Sequence, residues 1–375
     1  MYYEGEKMDV QNLSTPVFLV ELSVLQRNID RMAALCRETK TELWPMLKTH
    51  KCSYIAGLQQ EAGAKGFLAG TLQEAEGLAA QGFQSIMLAY PVVGDANISR
   101  VITLAQNTKV YLTIDNLAQA AQMNAALVKA QTSISYLIKL NIGLNRLGIE
   151  PDCLVDFLTD MKYFKQLKFA GIATHPGHVY GVADKREVPA VAAGEQAILE
   201  KAAAAMEKSG FSCRFVATGS TPTAGLVAGS EAINVLRPGN YVFHDTIQIG
   251  LGIAAEADCA LTVMGTIISA PRPGMLIVDV GSKCLGLDTG AHGNALVKGF
   301  GTIKGHPELE LAALSEQIGK IIIKGAISLK IGEKIEIIPN HACSAANMTS
   351  YLVGHEKGQV IKKIKIDMRD GTREP

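Results

Sequence analysis

Short apolar runs alternate with longer amphipathic segments between residues 42 and 236. The runs are rich in β-branched and aliphatic residues, whereas the intervening segments repeat their apolar positions with helical spacing. This alternation predicts repeated βα units on a parallel sheet. Eight parallel strands close a (β/α)8 TIM barrel, the α/β fold class that we therefore predict. The predicted strands are Glu42–Leu47, Gly66–Ala69, Ser85–Tyr90, Lys109–Ile114, Ser135–Asn141, Lys168–Thr174, Cys213–Thr218 and Ile233–Leu236.

Beyond the barrel the pattern changes to apolar runs separated by turn signals, which predicts a mostly antiparallel C-terminal β domain. Val17–Glu21 predicts a further strand that an eight-stranded barrel cannot use, so we assign it to the same domain. The predicted domains are residues 22–245 for the barrel and residues 1–21 plus 246–375 for the β domain. The predicted strands of the β domain are Leu261–Met264, Met275–Val280, Lys320–Ile323, Lys334–Ile338 and Val360–Ile366.

Composition narrows the classes of function. The 36 Lys and Arg residues balance the 36 Asp and Glu residues, so no basic surplus exists for nucleic acid or an anionic membrane surface. No apolar run reaches the ~20 residues that cross a bilayer, and the first residues do not read as a secretion signal. The 7 cysteines are scattered, as expected of reduced thiols. These features predict a globular cytoplasmic protein.

Polar residues gather where the predicted strands end. In a (β/α)8 barrel the catalytic side chains lie at the carboxyl ends of the strands. The first predicted strand is followed by Lys48–Lys51, the fifth by Asn141–Arg146 and the sixth by His175–Tyr180. We therefore expect these segments to meet at one end of the barrel and to form an active site.

Two glycine-containing turns after the last two strands suit an anion. Thr218–Ala224 combines a glycine with hydroxyl residues and a proline suited to a first helical turn, and Arg237–Tyr241 supplies a second glycine. TIM barrels commonly bind phosphate at these two turns. A phosphate there, opposite a lysine after the first strand, indicates pyridoxal phosphate held by that lysine as an imine.

Two lysines are candidates for that role. Lys48 points inward if the first strand runs to it, and Lys51 follows three residues later, beside His50. A lysine must be neutral to attack a carbonyl, and burial beside a second cation favours the neutral amine. Position alone leaves each lysine either catalytic or a solvated loop residue.

Other polar residues of these loops have more than one interpretation. Arg146 is either a surface cation or a donor to an anionic cofactor oxygen. His175 and His178 are general acids, metal ligands or hydrogen-bonded loop histidines, and we favour the hydrogen-bonded role. Tyr180 contacts a ring nitrogen or simply packs.

A His-x-Cys pair follows the predicted strand Lys334–Ile338. If the chain remains extended, His341 and Cys343 share one face, and their nitrogen and sulfur converge on a cation such as zinc. Two ligands leave several coordination positions open, which suits catalysis better than structure. By spacing alone, a strand-end histidine beside a buried thiol is the more common arrangement.

Six segments together resemble the D-threonine aldolase and D-serine dehydratase family, which is related to the alanine racemase group of pyridoxal phosphate barrels. The likeness covers nearly the whole chain, and the segments stand in the family's order. They are Lys48–Lys51, Asn145–Gly148, His175–Tyr180, Gly219–Pro222, Arg237–Tyr241 and Pro339–Cys343.

The resemblance implies a role for each segment. Lys48 carries pyridoxal phosphate, and Arg146 lies near the phenolic oxygen of the cofactor. His341 and Cys343 bind a divalent metal, which is zinc, or alternatively manganese or magnesium. The other residues implied to contact the cofactor are His175, Tyr180, Gly219, Ser220, Thr221, Gly239, Asn240 and Tyr241.

The resemblance also implies a lyase for D-3-hydroxy amino acids, of the D-serine or D-threonine dehydratase type. His-x-Cys is similar to the dehydratase version, since aldolase members often show His-x-Asp. D-threonine aldolase-type cleavage to glycine and an aldehyde stays an alternative, as does an amino acid racemase, which needs no metal. A noncatalytic pyridoxal phosphate carrier is the non-enzyme alternative, against which the large β domain argues. The resemblance further implies a homodimer.

Two positions depart from the family pattern. Where the family commonly has Arg-Pro-His before the cofactor lysine, this chain has Trp44, Pro45 and Met46. We expect this exchange to alter substrate specificity without affecting the choice of cofactor.

Overall fold

The computed structural model describes residues 8–289 and 296–369, so the ends of the predicted β domain lie outside the described residues. The α-helices are α1 Leu22–Glu38, α2 Ser53–Glu61, α3 Leu72–Ala80, α4 Asp95–Leu104, α5 Leu117–Lys129, α6 Leu154–Met161, α7 Val188–Lys208, α8 Thr221–Val227, α9 Thr246–Gly250, α10 Ser282–Leu285 and α11 Ala342–Ala346. The strands are β1 Val17–Glu21, β2 Glu42–Leu43, β3 Phe67–Ala69, β4 Ser85–Leu88, β5 Lys109–Ile114, β6 Ile134–Lys139, β7 Leu167–Ala173, β8 Phe215–Thr218, β9 Val235–Leu236, β10 Leu261–Arg272, β11 Met275–Val278, β12 Gly301–Ile303, β13 Leu309–Leu314, β14 Gly319–Ile323, β15 Lys334–Pro339, β16 Tyr351–Glu356 and β17 Gln359–Lys365.

Strands β2 to β9 form a parallel barrel, with helices α2 to α8 between consecutive strands. Their order in the sheet is β2-β9-β8-β7-β6-β5-β4-β3. A parallel bridge between Met46 and Leu68 joins the two ends of this order, and the Leu68 amide donates to the Pro45 carbonyl over 2.9 Å. The strands read as nearly continuous apolar runs because both faces of a parallel sheet are covered. The predicted (β/α)8 TIM barrel is confirmed.

The first barrel strand ends earlier than the sequence predicts. The prediction was Glu42–Leu47, but β2 comprises only Glu42–Leu43, and Leu47–Thr49 forms one turn of 3-10 helix. Regular pairing is interrupted at Pro45, which has no N–H for the ladder. Lys48 therefore lies on a short helical turn above the strand, while the other barrel strands agree with the prediction to within about two residues.

Three aromatic rings fill the inside of the barrel below the active-site end. Trp44 contacts Tyr111 and Phe215 edge to face, with ring centroids 5.7 and 5.6 Å apart, and Tyr111 meets Phe215 at 5.1 Å. Such edge-to-face pairs add to the free energy gained by burying the rings. Gly66 is required beside this cluster because a Cβ there would lie 2.5 Å from the Trp44 ring.

The second sheet joins both ends of the described chain. β1 pairs antiparallel with β10 and parallel with β16, whereas the other pairs of this sheet are antiparallel. This confirms the mostly antiparallel β domain. Each of the five predicted C-terminal runs overlaps a strand, with ends that differ by up to two residues in Met275–Val280 and Val360–Ile366, but β12, β13 and β16 are additional strands that the sequence pattern does not indicate. Short and mixed stretches such as Gly301–Ile303 carry too few alternating positions to be recognised.

Helix α1 connects the two sheets and fixes their relative position. Its apolar residues Leu25 and Ile29 are fully buried in the core of the β domain, where they join Val242 and Phe243 from the segment after the last barrel strand. Within the described residues, all seven cysteines are free thiols, as predicted, and no helix is long and apolar enough to cross a bilayer.

Candidate active site

A cavity of about 510 Å³ opens at the carboxyl ends of the barrel strands, where the β domain covers the barrel. Eleven of the twelve site residues predicted from the sequence line it directly, together with further polar groups. The predicted residues on its wall are Lys48, Arg146, His175, Tyr180, Gly219, Ser220, Thr221, Gly239, Asn240, His341 and Cys343, and the additional polar residues are Thr49, Tyr90, Lys139, Thr174, Arg237, Asp288 and Ser344.

Nine of these eleven residues are the predicted cofactor contacts and the other two are the predicted metal ligands, so all eleven face the same space. Tyr241 is the one predicted residue whose side chain the structure does not bring to the cavity. It is 1% exposed, and its hydroxyl accepts a hydrogen bond from Gln59 Nε2 over 2.8 Å. Only its backbone takes part nearby, because the Tyr241 amide donates to Thr221 Oγ1 over 3.0 Å.

The two candidate lysines have different surroundings. The Lys48 side chain is accessible within the cavity. Lys51 has a left-handed backbone with φ 47° and forms a buried ion pair with Glu74, with Nζ 3.3 Å from Oε1. His50, expected from sequence to stand beside these lysines, is buried against Gln59, and burial lowers its pKa to about 4. Of the two lysines, only Lys48 lines the cavity.

Four cationic side chains converge on the cavity, namely Lys48, Lys139, Arg146 and Arg237. Lys139 is 7% exposed, and its burial, followed by the fields of Arg237 and Arg146, holds its pKa well below the usual value. Burial also lowers the pKa of Arg237 to about 10, while the nearby Glu195 acts in the opposite direction. A buried concentration of like charge is costly unless an anion balances it, so this end of the barrel is built for an anionic ligand.

The two predicted phosphate turns lie side by side at the base of the cavity. A Cβ at Gly219, whose φ is +123°, would stand 3.0 Å from the Arg237 amide nitrogen. A Cβ at Gly239 would stand 2.7 Å from Thr49 Oγ1. Glycine at position 219 keeps the two turns close together, whereas glycine at position 239 lets its turn approach Thr49 and Met46 after the first barrel strand.

His175 and His178 have the hydrogen-bonding and packing positions of loop histidines rather than those of paired metal ligands. His175 lines the cavity, and its Nδ1 donates to the Gly219 carbonyl over 3.5 Å. Burial, together with the charges of Lys139 and Lys48, keeps the His175 pKa well below its usual value, so the ring is neutral. His178 lies against Gly143, outside the cavity wall.

The His341 and Cys343 side chains meet, but not by the extended backbone that the sequence prediction assumed. β15 ends at Pro339, His341 caps the short helix α11, and Cys343 lies within that helix. Burial by itself raises the pKa of the Cys343 thiol, but the His341 imidazolium lowers it below the usual value. Burial likewise lowers the pKa of His341, yet the Cys343 thiolate raises it to about 9. The two groups therefore form a charged pair on the wall of the cavity that Lys48 also lines, and the Cys343 thiol lies 3.3 Å from Thr49 Oγ1.

Asp288 is an acidic group next to this pair that the sequence did not indicate. Its Oδ2 lies 3.8 Å from His341 Nδ1, and Asn340 Nδ2 donates to the Asp288 carbonyl over 3.0 Å. Across residues 8–289 and 296–369, no three His, Cys, Asp or Glu side chains are arranged as a complete metal site. The described part of the cavity wall thus places one imidazole nitrogen and one sulfur side by side, with a single carboxylate nearby.

Glu195 on α7 supports the phosphate turn from behind. Its side chain is 2% exposed and is hydrogen bonded to the Thr218 hydroxyl. Burial raises the Glu195 pKa to about 7, although Thr218, Thr223 and the charge of Arg237 act to lower it. A carboxylate buried at this position therefore becomes charged only near neutral pH.

The raised pKa of Glu195 predicts how stability changes with pH. The folded protein holds this proton more tightly than the unfolded chain, so its contribution to stability is complete below pH 4.5 and is lost as the pH rises through about 7. We expect the free energy of unfolding of the wild type to fall by about 3 kcal/mol relative to Glu195→Gln over this range. Melting temperatures of both proteins at pH 5 and pH 8 measure this difference. Glu200→Gln, on the exposed face of the same helix, is the control, and parallel curves for wild type and Glu195→Gln would contradict the prediction.

The sequence does not indicate a functional role for several residues that line the cavity, and the reason differs from residue to residue. Lys139 stands in the apolar run of β6, and a single cation inside a buried strand was the available signal. Arg237 begins the turn Arg237–Tyr241, but the sequence pattern assigns the anion to the glycine of that turn and gives Arg237 no role. Asp288, Tyr90 and Ser344 carry no local pattern, because only the closure of the barrel and the position of the β domain bring them to the cavity.

The departures at Trp44 and Met46 have unequal consequences. Trp44 is 1% exposed inside the barrel, below the cavity, so it does not contact a ligand. Met46 lines the cavity next to Gly239. Of the two positions, only Met46 is therefore placed to have the effect on substrate specificity that the sequence predicts.

The residues present fit pyridoxal phosphate. The cavity offers an accessible lysine, a surplus of cations and two glycine turns at its base. Among the described residues, Arg237 Nε and Asn240 Oδ1 are buried without a hydrogen-bond partner, and such atoms are usually satisfied by a ligand or water. The pair of His341 and Cys343 has the nitrogen and sulfur donors that zinc prefers.

Two models of known protein domains match this chain, one in the barrel and one in the β domain. Residues 20–246 match the alanine racemase N-terminal domain, and residues 260–354 match a putative serine dehydratase domain. D-serine dehydratase of Dictyostelium discoideum is 27% identical, over 95% of this chain and 97% of the relative. D-threonine aldolase of an Arthrobacter species is 28% identical, over 96% and 94%.

A solved structure of a D-threo-3-hydroxyaspartate dehydratase variant in the metal-free form superposes with a TM-score of 0.88. It shares 26% sequence identity and covers 96% of this chain and 99% of its own. The domain match, the order of the two domains and the shared architecture agree with the resemblance seen in the sequence motifs. The chain therefore belongs to the alanine racemase N-terminal domain family, in the group with a serine dehydratase domain that includes D-serine dehydratase and D-threonine aldolase.

Proposed function

We propose that this protein is a pyridoxal phosphate-dependent lyase that dehydrates D-3-hydroxy amino acids such as D-serine or D-threonine with the help of a divalent metal. The observation that carries the proposal is the placement of Lys48 and the pair of His341 and Cys343 on the wall of one cavity. An amine that moves a proton and a pair of metal donors are the two groups that loss of a 3-hydroxyl requires. Relatives named as dehydratases support the same reaction class.

The two bound groups supply the chemistry that side chains lack. When bound, pyridoxal phosphate supplies an aldehyde for the substrate amine and an electron-withdrawing ring, and the metal supplies a Lewis acid. We assign Lys48 and the turns Gly219–Thr221 and Gly239–Asn240 to pyridoxal phosphate, with Arg146 and Tyr180 beside it. His341 and Cys343 are assigned to the metal, for which zinc is the best match to the thiolate.

The chain's own residues move the protons and hold the charges. Lys48, once its amine is free, takes the proton from the α carbon of the substrate, because it is the accessible lysine on the cavity wall. Arg237, whose pKa of about 10 keeps it charged at neutral pH, maintains a positive field in the cavity. That field stabilises negative charge that develops on the ligand during proton removal.

His341 and Cys343 assist the leaving hydroxyl from the other side. Their donors stand on the wall that the β domain contributes, next to Asp288 and Ser344. A divalent metal would be held there by His341 and Cys343 and would supply the Lewis acid that a poor leaving group such as hydroxide needs. The product leaves as an enamine, whose hydrolysis gives a keto acid and ammonia.

Retro-aldol cleavage is the second candidate, and Asp288 is the observation that favours it. A carboxylate 3.8 Å from His341 Nδ1 stands where it could accept the proton of a substrate 3-hydroxyl. If Asp288 took that proton, the bond between the α and β carbons would break, the β carbon would leave as an aldehyde, and the α carbon would take up a proton to give glycine. A relative named D-threonine aldolase supports this alternative.

A substrate panel distinguishes the two reactions. We expect D-serine and D-threonine to give keto acid and ammonia, and we expect a chelator to stop the reaction and added zinc to restore it. The measurements are keto acid, aldehyde and the enantiomer of the remaining substrate, followed in parallel with D-serine, D-threonine, 3-hydroxy-D-aspartate and D-phenylserine. L-serine is the control. Glycine and aldehyde as main products would replace dehydration by aldol cleavage, and the opposite enantiomer as sole product would show a racemase.

A further inference from the structure

Asp245 is a fully buried carboxylate between the last barrel strand and helix α9, with 0% of its surface exposed. It stands where the chain passes from the barrel to the β domain. Its Oδ1 accepts a hydrogen bond from the Gln248 amide over 3.1 Å and thereby caps α9, Thr246–Gly250. A cap of this kind needs only one oxygen, and serine or asparagine would serve equally well.

The second oxygen of Asp245 connects two parts of the active site. Oδ2 accepts one hydrogen bond from Asn240 Nδ2 over 2.6 Å and another from the Ala342 amide over 2.9 Å. Asn240 belongs to the glycine turn after the last barrel strand, whereas Ala342 lies between His341 and Cys343. Asn240 Nδ2 is itself 3.9 Å from Cys343 Sγ. A single oxygen atom therefore joins the assigned cofactor turn to the assigned metal segment.

The free-energy cost of burying the Asp245 carboxylate indicates a role beyond capping helix α9. Burying a charged carboxylate is costly, and three donors offset that cost only if they are held in place around it. Hydrogen bonds to a carboxylate are shorter and stronger than those between neutral groups, so Asp245 restrains both donors that reach Oδ2. A five-residue helix does not by itself require a buried charge at its start.

We infer that Asp245 is a positioning residue, which holds the His341–Cys343 segment against the cofactor turn at Asn240. This inference rests on the proposed function and adds to it the group that aligns its two halves. Asp245 lies beneath the cavity wall, so it acts through Asn240 and through the backbone of Ala342 rather than on the substrate. Loss of such supporting contacts around a metal typically weakens metal affinity about 10- to 100-fold.

Two substitutions separate positioning from capping. Asp245→Asn keeps the shape but loses the charge, and it offers one acceptor oxygen to the three donors that Asp245 now satisfies with two. Asp245→Ser keeps a hydroxyl for the α9 cap and is too short to reach Asn240 and Ala342. Asp279→Asn is the matched control, because Asp279 accepts from the Thr266 amide and the Thr15 hydroxyl, each over 2.6 Å, in the β domain outside the cavity.

The experiment measures binding, not only turnover. Zinc affinity is obtained by competition with a chromophoric chelator, and pyridoxal phosphate affinity by absorbance titration of protein freed of cofactor. We expect both Asp245 variants to lose about 10- to 100-fold in zinc affinity. We expect a fall of about 3- to 10-fold in cofactor affinity, because Asn240 is released. Melting temperatures comparable to that of Asp279→Asn show that the fold persists, and if Asp245→Asn does not fold, Asp245→Ser decides.

The outcomes are distinct. Zinc affinity within about twofold of the wild type in a folded Asp245 variant overturns the inference, and so does a fall in only one of the two affinities. If the wild type binds zinc and the variants bind it equally well, the proposed function stands while the positioning role fails. If the wild type itself binds no zinc, the metal part of the proposed function fails and the inference fails with it.

Discussion

Lys48→Ala is expected to lower the rate of keto acid formation by at least about 10²- to 10⁴-fold, the range typical of a removed acid–base group. The variant is also expected to lose the visible absorbance of bound pyridoxal phosphate, because no other lysine on the cavity wall is equally accessible among the described residues: Lys139 is 7% exposed. Activity assays and absorbance spectra after dialysis measure both effects. The effect is large because one amine is assigned both to hold the cofactor and to move the α proton.

Lys168→Ala is the control for this change. Lys168 lies near the amino end of β7, at the opposite end of the barrel, where its amine donates to the Lys165 carbonyl. We expect this variant to keep the wild-type spectrum and rate. A Lys48→Ala protein that stays yellow after dialysis would contradict the assignment of Lys48, and Lys51 or Lys139 would then need to be tested.

His341→Ala is expected to abolish the metal requirement together with most of the activity. A Lewis acid at a leaving oxygen contributes several kcal/mol, and each 1.36 kcal/mol corresponds to a factor of ten in rate, so we expect a fall of about 10²- to 10³-fold. Zinc content of the purified protein and the rate with and without chelator provide the measurements. The variant should show one low rate under both conditions.

His306→Ala is the matched control, since His306 is a half-exposed histidine of the β domain that pairs with Glu308 away from the cavity. Its metal content and chelator sensitivity should equal those of the wild type. Full activity of His341→Ala, or wild-type zinc content in that variant, would remove the metal from the proposed function and leave Lys48 as the principal catalytic group.

The barrel could be predicted because its information is local. Each βα unit carries its own apolar run and its own amphipathic helix, and eight repetitions indicate closure. The predicted length of the first barrel strand was wrong because Pro45 has no N–H and interrupts the hydrogen-bond ladder, although the apolar run continues past this position. The β domain was less predictable, since strands such as β12 and β16 form through partners distant in sequence.

For the candidate site as well, local sequence motifs predict some features and leave others to packing. Residues in segments with a recognisable order of residue types, such as Lys48 and the turn at Gly219, were found in advance and line the cavity. Tyr241 belongs to such a segment as well, but its ring turns into the core toward Gln59. Side-chain direction on a short helical turn depends on packing, which a motif does not specify.

Local sequence patterns suffice to predict the (β/α)8 barrel, the presence of a second β domain and the residue types available for chemistry, because apolar periodicity and motif order are properties of neighbouring positions. Long-range packing places Lys48 and not Lys51 in the cavity, Trp44 in the barrel core, and His341 beside Cys343 on a helical turn. The same holds for the gathering of Lys139, Arg237 and Asp288. These outcomes depend on contacts between residues far apart in the chain, and such contacts exist only once the barrel has closed and the β domain has packed against it.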